Sequence, residues 1–383
     1  QGARSPMTPA PEPAAAGSAT APAPPRVWLV LGDKPGDNAQ VEVIAPALGW
    51  PCERKHVQMR EPYVQGKPRV MPSLHHIDPA RSDPLEPPWP DLVITIGRRP
   101  SMVALWIAEQ SRGRTKLVLL GKPSGMMERF DLVIAGAEAQ LPPLPNVLPI
   151  ALPLMRVDRA RIAAAAEVWR ARLAALPRPL VAFLIGGPTG PFLYDASVLE
   201  RLLAEAGKLS EQGGTPYLTT SRRTPASVVV ALRERLPPGA VLFEWAPAAG
   251  DNPYLGLLGQ ADGFVVTGDS ISMMVEIARL GRPLAILDLP TGRLGALDQL
   301  RRSLTRRLFA PGAGPGGLRK LLATTLHTTG VLTHTRDFRA FHRLLLERGL
   351  AVRAGEPFRR APGPVPDDLP LVVARIRALL RPA

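Results

Sequence analysis

The chain reads as an α/β protein built from two Rossmann-like halves, long enough to allow a cleft between them, and three features of the sequence predict it. Short apolar, β-branched runs alternate with amphipathic helical stretches, the pattern of parallel strands covered on both faces. The alternation occurs twice, once on either side of a helix running from about Asp158 to Leu176. In each half the strands end in Gly-rich or arginine-bearing turns, which fall at the carboxyl edge where open α/β sheets bind ligands.

Length and composition set the bounds. The 383 residues, 45% hydrophobic, suffice for two cores. The balance of 47 Lys+Arg against 33 Asp+Glu gives a formal charge of +14 and favours anionic partners such as phosphates or an acidic membrane surface. Much of it is arginine in a chain rich in Ala and Pro. Aromatic residues are 5% of the chain and no nucleic-acid motif accompanies the charge, so nucleic acid is not an expected partner. A single cysteine, Cys52, excludes an intramolecular disulfide and a cysteine zinc cluster. The histidines show no metal-ligand spacing, and the His75-His76 pair reads as solvated in a Pro-rich loop, so no metal is expected. No apolar run approaches the ~18 residues needed to span a bilayer, and the start lacks a secretory pattern. The expected location is the cytoplasm, or peripheral on the inner face of the plasma membrane.

In order, residues 1–25 form an Ala/Pro-rich tail expected to be disordered. Val27 to Leu31 is the first strand, followed by Gly32-Asp33-Lys34-Pro35-Gly36-Asp37-Asn38 and a helix from about Ala39 to Leu48. This turn is neither a dinucleotide fingerprint nor a Walker A loop. Asp37 is a candidate general base at the mouth of a cleft; Asp37 or Asn38 is equally a candidate helix N-cap. A strand is expected near Glu53 to Val57. Further strands are Asp91 to Ile96, Lys116 to Leu120 and Leu132 to Ala135, with a helix from Ser101 to about Glu109.

The second half opens with a strand at Leu180 to Ile185 and the loop Gly186-Gly187-Pro188-Thr189-Gly190. A helix around Ala196 to Glu205 and a strand at Tyr217 to Thr220 lead to Ser221-Arg222-Arg223-Thr224-Pro225. The first half has a counterpart in Gly97-Arg98-Arg99-Pro100. Arginine pairs at helix starts oppose the helix dipole, so either an anion or surface carboxylates should lie near them. Phe264 to Thr267 is the next strand. The turn Gly268-Asp269-Ser270 brings a cap to a helix ending near Leu280, with Gly281 and Pro283 closing it before a strand at Leu284 to Leu289. A phosphate at that helix N-terminus is stabilised by unpaired N–H groups, and Glu276, about two turns on, can accept from ribose hydroxyls. The alternative is a simple cap and a solvated glutamate. Around Leu297 to Phe309, Arg301, Arg302, Arg306 and Arg307 lie at helical spacing with Leu300, Leu304 and Leu308, which fits either an anionic membrane surface or a solvated arginine face.

The stretch Gly32 to Gln40, Gly97-Arg98-Arg99, Gly186-Gly187-Pro188, Thr219 to Pro225, Asn252-Pro253-Tyr254, and Val266 to Met273 with Glu276 resemble, in order, the mitochondrial fission ELM family. Its bacterial members are described as glycosyltransferases, some linked to lipooligosaccharide assembly. The resemblance covers about residues 26 to 350 and implies a GT-B-like architecture, two Rossmann-like domains facing across a cleft, with a final helix, about Asp367 to Leu380, crossing back to the first domain. The implied domains are 26–157 on the acceptor side, a connecting helix at 158–177, 178–330 on the nucleotide-sugar side, and 331–383 as C-terminal helices packing back on the first. The implied function is metal-independent transfer of a sugar from a nucleotide-sugar to a cell-envelope glycolipid or polysaccharide precursor. The nucleotide-sugar is a substrate, and no cofactor is expected. The alternatives are a non-catalytic interaction or regulatory protein at a membrane and a sugar-nucleotide epimerase.

By the same resemblance, the nucleotide contacts are Gly186, Gly187, Thr189, Ser221, Arg222, Arg223, Gly268, Asp269, Ser270, Ser272, Met273 and Glu276. Gly36, Asn38, Gln40, Arg98 and Arg99 are the contacts to acceptor or phosphate. The chain has no Asp-x-Asp, so fixed dipoles and Arg222 or Arg223 would stabilise the leaving diphosphate. Asp37 is the first candidate base and His56 the second. Two prolines, Pro188 and Pro191, reduce the N–H donors available in the loop after Ile185.

Overall fold

The computed structural model describes residues 23–64, 68–247, 250–309, 317–329, 331–332 and 334–381, so nearly all of the expected tail lies outside the described residues. Strands β1 (Val27–Leu31), β2 (Cys52–His56), β3 (Leu92–Ile96), β4 (Lys116–Leu120), β5 (Leu132–Ala135) and β6 (Val147–Pro149) form one sheet in the order β2-β1-β3-β4-β5-β6. Strands β7 (Leu180–Leu184), β8 (Thr215–Thr219), β9 (Val241–Phe243), β10 (Gly263–Thr267), β11 (Leu284–Leu287) and β12 (Val352–Arg353) form the second, ordered β12-β11-β10-β7-β8-β9. All neighbours in both sheets run parallel. The molecule is thus α/β with two Rossmann-like domains. Each sheet reverses its winding once, between β1 and β3 in the first and between β7 and β10 in the second, and those reversals create ligand crevices at the carboxyl ends of the strands.

Strand burial explains the unbroken apolar runs. Every residue of β1, β3, β7 and β10 is buried, because helices cover both sheet faces. Side chains still alternate: Val27, Leu29 and Leu31 join the core on one face, Trp28 and Val30 that on the other.

The helix Leu369–Ala378 crosses back to the first domain, burying Leu369, Val372, Val373 and Ile376 against Ile44 and Leu48. The rest of the 331–383 segment departs from expectation. Phe338, Phe341 and Leu345 of helix Phe338–Glu347, with Val352 of β12, lie in the second domain's core. The second unit therefore runs on to about β12, because the apolar face of that helix is complementary to Phe192 and not to the first sheet.

Two helix starts also differ. Pro35–Glu42 begins before Ala39, with Pro35 in its first turn and Lys34 as N-cap, so neither Asp37 nor Asn38 caps it. Arg98–Gln110 begins at the arginine pair itself, after Gly97 at φ 91°. His76 is not solvated: it is fully buried, and its Nε2 lies 3.1 Å from the Arg99 carbonyl oxygen.

The carboxyl edges of the two sheets are drawn together by residues 334–342. The Asp337 N–H donates to the Glu138 carbonyl after β5 (2.6 Å), and His342 Nε2 donates to the Gly268 carbonyl after β10 (2.8 Å). Lys122, after β4, donates to the His334 carbonyl and lies 3.0 Å from His334 Nδ1. Burial and then Arg302 bring the Lys122 ammonium down to about 7, while burial and then Lys122 bring His334 down to about 4. Both folded values are depressed. Each contribution is therefore complete above the group's ordinary value, 6.5 for His334 and 10.5 for Lys122, and is lost as pH falls through about 4 and about 7 respectively. The melting temperature should fall between pH 6.5 and 4, and Lys122→Met should flatten the rise expected above pH 7. A Lys122→Met curve parallel to the wild-type curve across that upper range would remove Lys122 from this role.

Candidate functional site

The second crevice is organised by a buried carboxylate. Asp269, immediately after β10, accepts from the Gly187 N–H (3.0 Å) at Oδ2 and from the hydroxyls of Tyr194 (2.9 Å) and Thr267 (2.7 Å) at Oδ1. Arg223 Nη2 lies 3.0 Å from Oδ2. The Gly186 N–H donates to Thr267 Oγ1 at 2.8 Å. A side chain at Gly186 would sit on the Asp269 carboxylate, and one at Gly187 on the Arg223 carbonyl, so this close approach requires glycine. Burial and then the Asp269 charge push the Tyr194 phenol upward, keeping it a donor.

This geometry revises the expected use of the loop. The N–H groups of Gly186 and Gly187 are spent within the protein, and the Thr189 hydroxyl accepts from Arg223. With Asp269 they brace the turn, and those two N–H groups do not face a ligand. The Ser221 N–H donates to Thr224 Oγ1 (2.8 Å), which in turn donates to the Gly186 carbonyl (2.7 Å), completing the brace.

What remains open is adjacent. The helix Ile271–Arg279 starts at Ser270 with no side-chain cap, leaving its first N–H groups for another acceptor. Arg223 Nη2 donates to Ser270 Oγ at 3.3 Å, which sets the 221–225 turn beside this start. Arg222 is exposed and makes no hydrogen bond or ion pair with the described residues, so the two arginines divide: Arg223 is engaged by Asp269, and Arg222 carries an uncommitted charge.

Along the same helix Ser272 is exposed, Ile271, Met274, Val275, Ile277 and Ala278 face the core, and the half-buried Met273 packs against it. Glu276 is half-buried and accepts from the Tyr254 hydroxyl at 2.5 Å. Burial, reinforced by Glu276, pushes the Tyr254 phenol far up, so the proton stays on the tyrosine. Asn252 Oδ1 accepts from the Tyr254 N–H at 2.9 Å, which explains the Asn-Pro-Tyr order: a turn residue sets the helix that aims the phenol.

In the first crevice Asn38 is a clamp, accepting from the Gly32 N–H (3.1 Å) and donating to the Gly32 carbonyl (2.8 Å). Asp37 is half-buried in the first turn of Pro35–Glu42, near Gly97 across the β1–β3 reversal, and its carboxylate accepts no hydrogen bond from the described residues. Asp33 Oδ2 accepts from the Met59 N–H at 3.4 Å. Gly36 is exposed and Gln40 half-buried on the following turn. Arg98 does not point to an anion but donates to the Pro68 carbonyl at 2.9 Å; burial and then Arg99 lower its pKa. His56 ends β2, on the far side of β1 from the reversal, where its N–H donates to Asp83 Oδ2 (2.7 Å) and its carbonyl accepts from the Asp83 N–H (2.8 Å), so it stands outside this crevice.

Sequence reasoning missed Tyr194, Glu138 and His342. Glu138 follows β5 with its Oε2 buried and unpartnered, and burial raises its pKa. His342 presses on the turn, its Cε1 lying 2.7 Å from where a Gly268 methyl would be. None sits in a recognisable motif; each is brought in by tertiary packing. A cavity of about 430 Å³ is lined by Met127, Phe130, Leu144, Phe309 and His327, beside the segment that precedes β5.

Residues 35–311 match the family described as Mitochondrial fission ELM1. The chain belongs to the mitochondrial fission ELM1 family. It is 29% identical over 220 residues to the mitochondrial fission protein ELM1 of Arabidopsis thaliana, covering 52% of this chain and 51% of the relative. The chain thus spans about half the length of that plant relative. An uncharacterized protein of Rickettsia prowazekii (strain Madrid E) is 21% identical over 296 residues, 68% of this ELM1-family chain and 82% of the relative. Among solved structures, a glycosyltransferase from Rickettsia africae ESF-5 aligns with 85% of this chain and 94% of its own at 9% identity and a TM-score of 0.42. A UDP-GlcNAc 2-epimerase from Neisseria meningitidis, bound to UDP-GlcNAc, aligns with 79% of this chain and 99% of its own at 12% identity and a TM-score of 0.41.

Proposed function

We propose that the protein is a metal-independent glycosyltransferase that moves a sugar from a nucleotide-sugar to a lipid-linked or polysaccharide precursor of the cell envelope, working at the cytoplasmic face of a membrane. The observation that carries this reading is the second crevice: an uncapped helix start at Ser270, the free Arg222 beside it, and Glu276 held by Tyr254 further along the same helix. Six residues of helix separate Ser270 from Glu276, about 9 Å, which suits a diphosphate at one end and a ribose at the other. In the reaction the acceptor oxygen bonds to the anomeric carbon as the bond to the β-phosphate oxygen breaks. The helix start and Arg222 take up the charge developing on the diphosphate, and a carboxylate, first Asp37, receives the hydroxyl proton.

A second reading, a non-catalytic interaction or regulatory protein on this fold, draws on the spent N–H groups of Gly186 and Gly187, which leave fewer donors for a diphosphate. A thermal-shift panel of UDP, GDP, CMP and ADP with their sugar conjugates separates the two, because a ligand bound by the folded state raises the melting temperature. One base should shift it selectively. Glu276→Ala should weaken that nucleotide about tenfold, the value of one hydrogen bond to a charged group, and should lower stability by about 1–2 kcal/mol because the Tyr254 hydroxyl loses its acceptor. No shift at saturating ligand would favour the second reading, and an unchanged affinity in Glu276→Ala would remove Glu276 from the ribose site.

A further inference from the structure

We propose that the helix pair Arg293–Leu308 and Gly317–Thr328 is a docking surface for an anionic lipid bilayer. The first helix is turned opposite to ordinary practice. Its polar residues Asp298, Arg302 and Thr305 are buried, while Leu294, Leu297, Leu300 and Leu304 are exposed, Leu294 at 71%. The inward face is satisfied: Asp298 Oδ2 accepts from the Thr335 N–H (3.0 Å), and Arg302 donates to the Thr335 carbonyl (3.2 Å) and lies 3.7 Å from Asp337 Oδ2. The rotation is therefore specified by hydrogen bonding. The expectation that Arg302 belongs to an outward arginine face is corrected by the same contacts.

The four leucines recur at intervals of three and four residues and form one stripe along a helix of about 24 Å. The second helix adds Leu318 at 83% exposure, with Leu321 and Leu322. More than half of the exposed large hydrophobic residues among the described residues fall between Leu294 and Val331. Such clustering marks a partner surface.

Charge identifies the occupant. The only acidic residue on the two helices is the buried Asp298, whereas Arg293, Arg306, Arg307 and Arg319 are exposed. Leucines rimmed by arginine alone are the composition of a helix lying in the headgroup region of an anionic membrane. A second copy would set these arginines against one another across a two-fold axis. The chain's own first 25 residues carry a single large apolar residue, Met7, and cannot cover the stripe. The helix also leaves directly from the nucleotide crevice, since the Gly292 N–H donates to the Pro191 carbonyl at 3.4 Å and the Leu193 N–H to the Pro290 carbonyl at 2.8 Å. That placement would present a lipid-linked acceptor to the crevice and rests on the transferase reading; bilayer binding itself does not.

The test is co-sedimentation of the full chain with phosphatidylcholine vesicles, with and without about 30% phosphatidylglycerol, at low and high salt. Anionic vesicles should bind at least about tenfold more protein, and the partition should drop severalfold at high salt. The double change Leu297→Glu with Leu304→Glu should lower it about tenfold, and Arg306→Glu with Arg307→Glu should remove the anionic preference. Reversing Arg161 and Arg170 on the connecting helix should change neither, which separates this face from net charge. All variants should keep the wild-type melting temperature and nucleotide shift, so failure here is distinguishable from failure of the transferase reading. Equal binding by the leucine variant and the wild type would overturn the proposal. So would a leucine variant that only turns a dimer into a monomer, which would assign the stripe to a second copy.

Discussion

Asp269→Ala should destabilise the second domain by about 3 kcal/mol, measured as a lowered urea midpoint at unchanged slope. The carboxylate is buried and holds the Gly187 N–H, the Tyr194 and Thr267 hydroxyls and Arg223 at once. Removing it strands several donors, each with its own desolvation cost. The Arg223 pairing adds little by itself, because that guanidinium is 41% exposed and water screens it. Asn at the same position keeps Oδ1 for Tyr194 and Thr267 but turns an amide donor toward the Gly187 N–H and Arg223. It should recover about 1 kcal/mol and no more. The same variant should lose most of any nucleotide shift, since the helix start and the 221–225 turn are aligned through this residue. An Ala variant within about 0.5 kcal/mol of wild type would show that the brace is not what holds the turn.

Asp37→Asn should lower turnover by about 10²–10⁴-fold while leaving donor binding and folding nearly intact, the range expected on losing a general base. The structural grounds are its position at the β1–β3 reversal and a carboxylate that accepts nothing from the described residues. Its other contribution is to the dipole of helix Pro35–Glu42, worth about 0.5 kcal/mol, so the protein should still fold. Glu138→Gln is the natural comparison. Glu138 is another carboxylate at this edge, with raised pKa and an unpartnered oxygen. Single-turnover rates decide between them: full loss in Glu138→Gln with normal rates in Asp37→Asn would reassign the base.

Much of the architecture was legible because its causes are local. Continuous β-branched runs such as Val27–Leu31 and Gly263–Thr267 are what two-sided burial demands, and Gly281 with Pro283 ends a helix by backbone sterics alone. The elements that carry the candidate site were legible for the same reason, since a turn after a strand is visible as a break in the pattern. What each side chain does there was not. Arg222 and Arg223 are chemically identical neighbours, and only the approach of Asp269, from a turn 46 positions away in the chain, commits one and frees the other. Gly186 and Gly187 look like phosphate ligands until that carboxylate takes a donor. The helix Arg293–Leu308 fits a membrane surface or a solvated arginine face equally until Asp298 finds Thr335 and Arg302 finds Asp337, which turn its leucines outward.

The sequence by itself determined the α/β class, the two-fold repetition of the unit, and which turns lie at the strand ends. Apolar periodicity and Gly/Pro stereochemistry depend on residues close in the chain. Only the tertiary structure decided which polar groups are already satisfied and which remain open, because a hydrogen bond or ion pair between distant segments leaves no periodic trace. Availability to a ligand is what remains after those internal pairings are made.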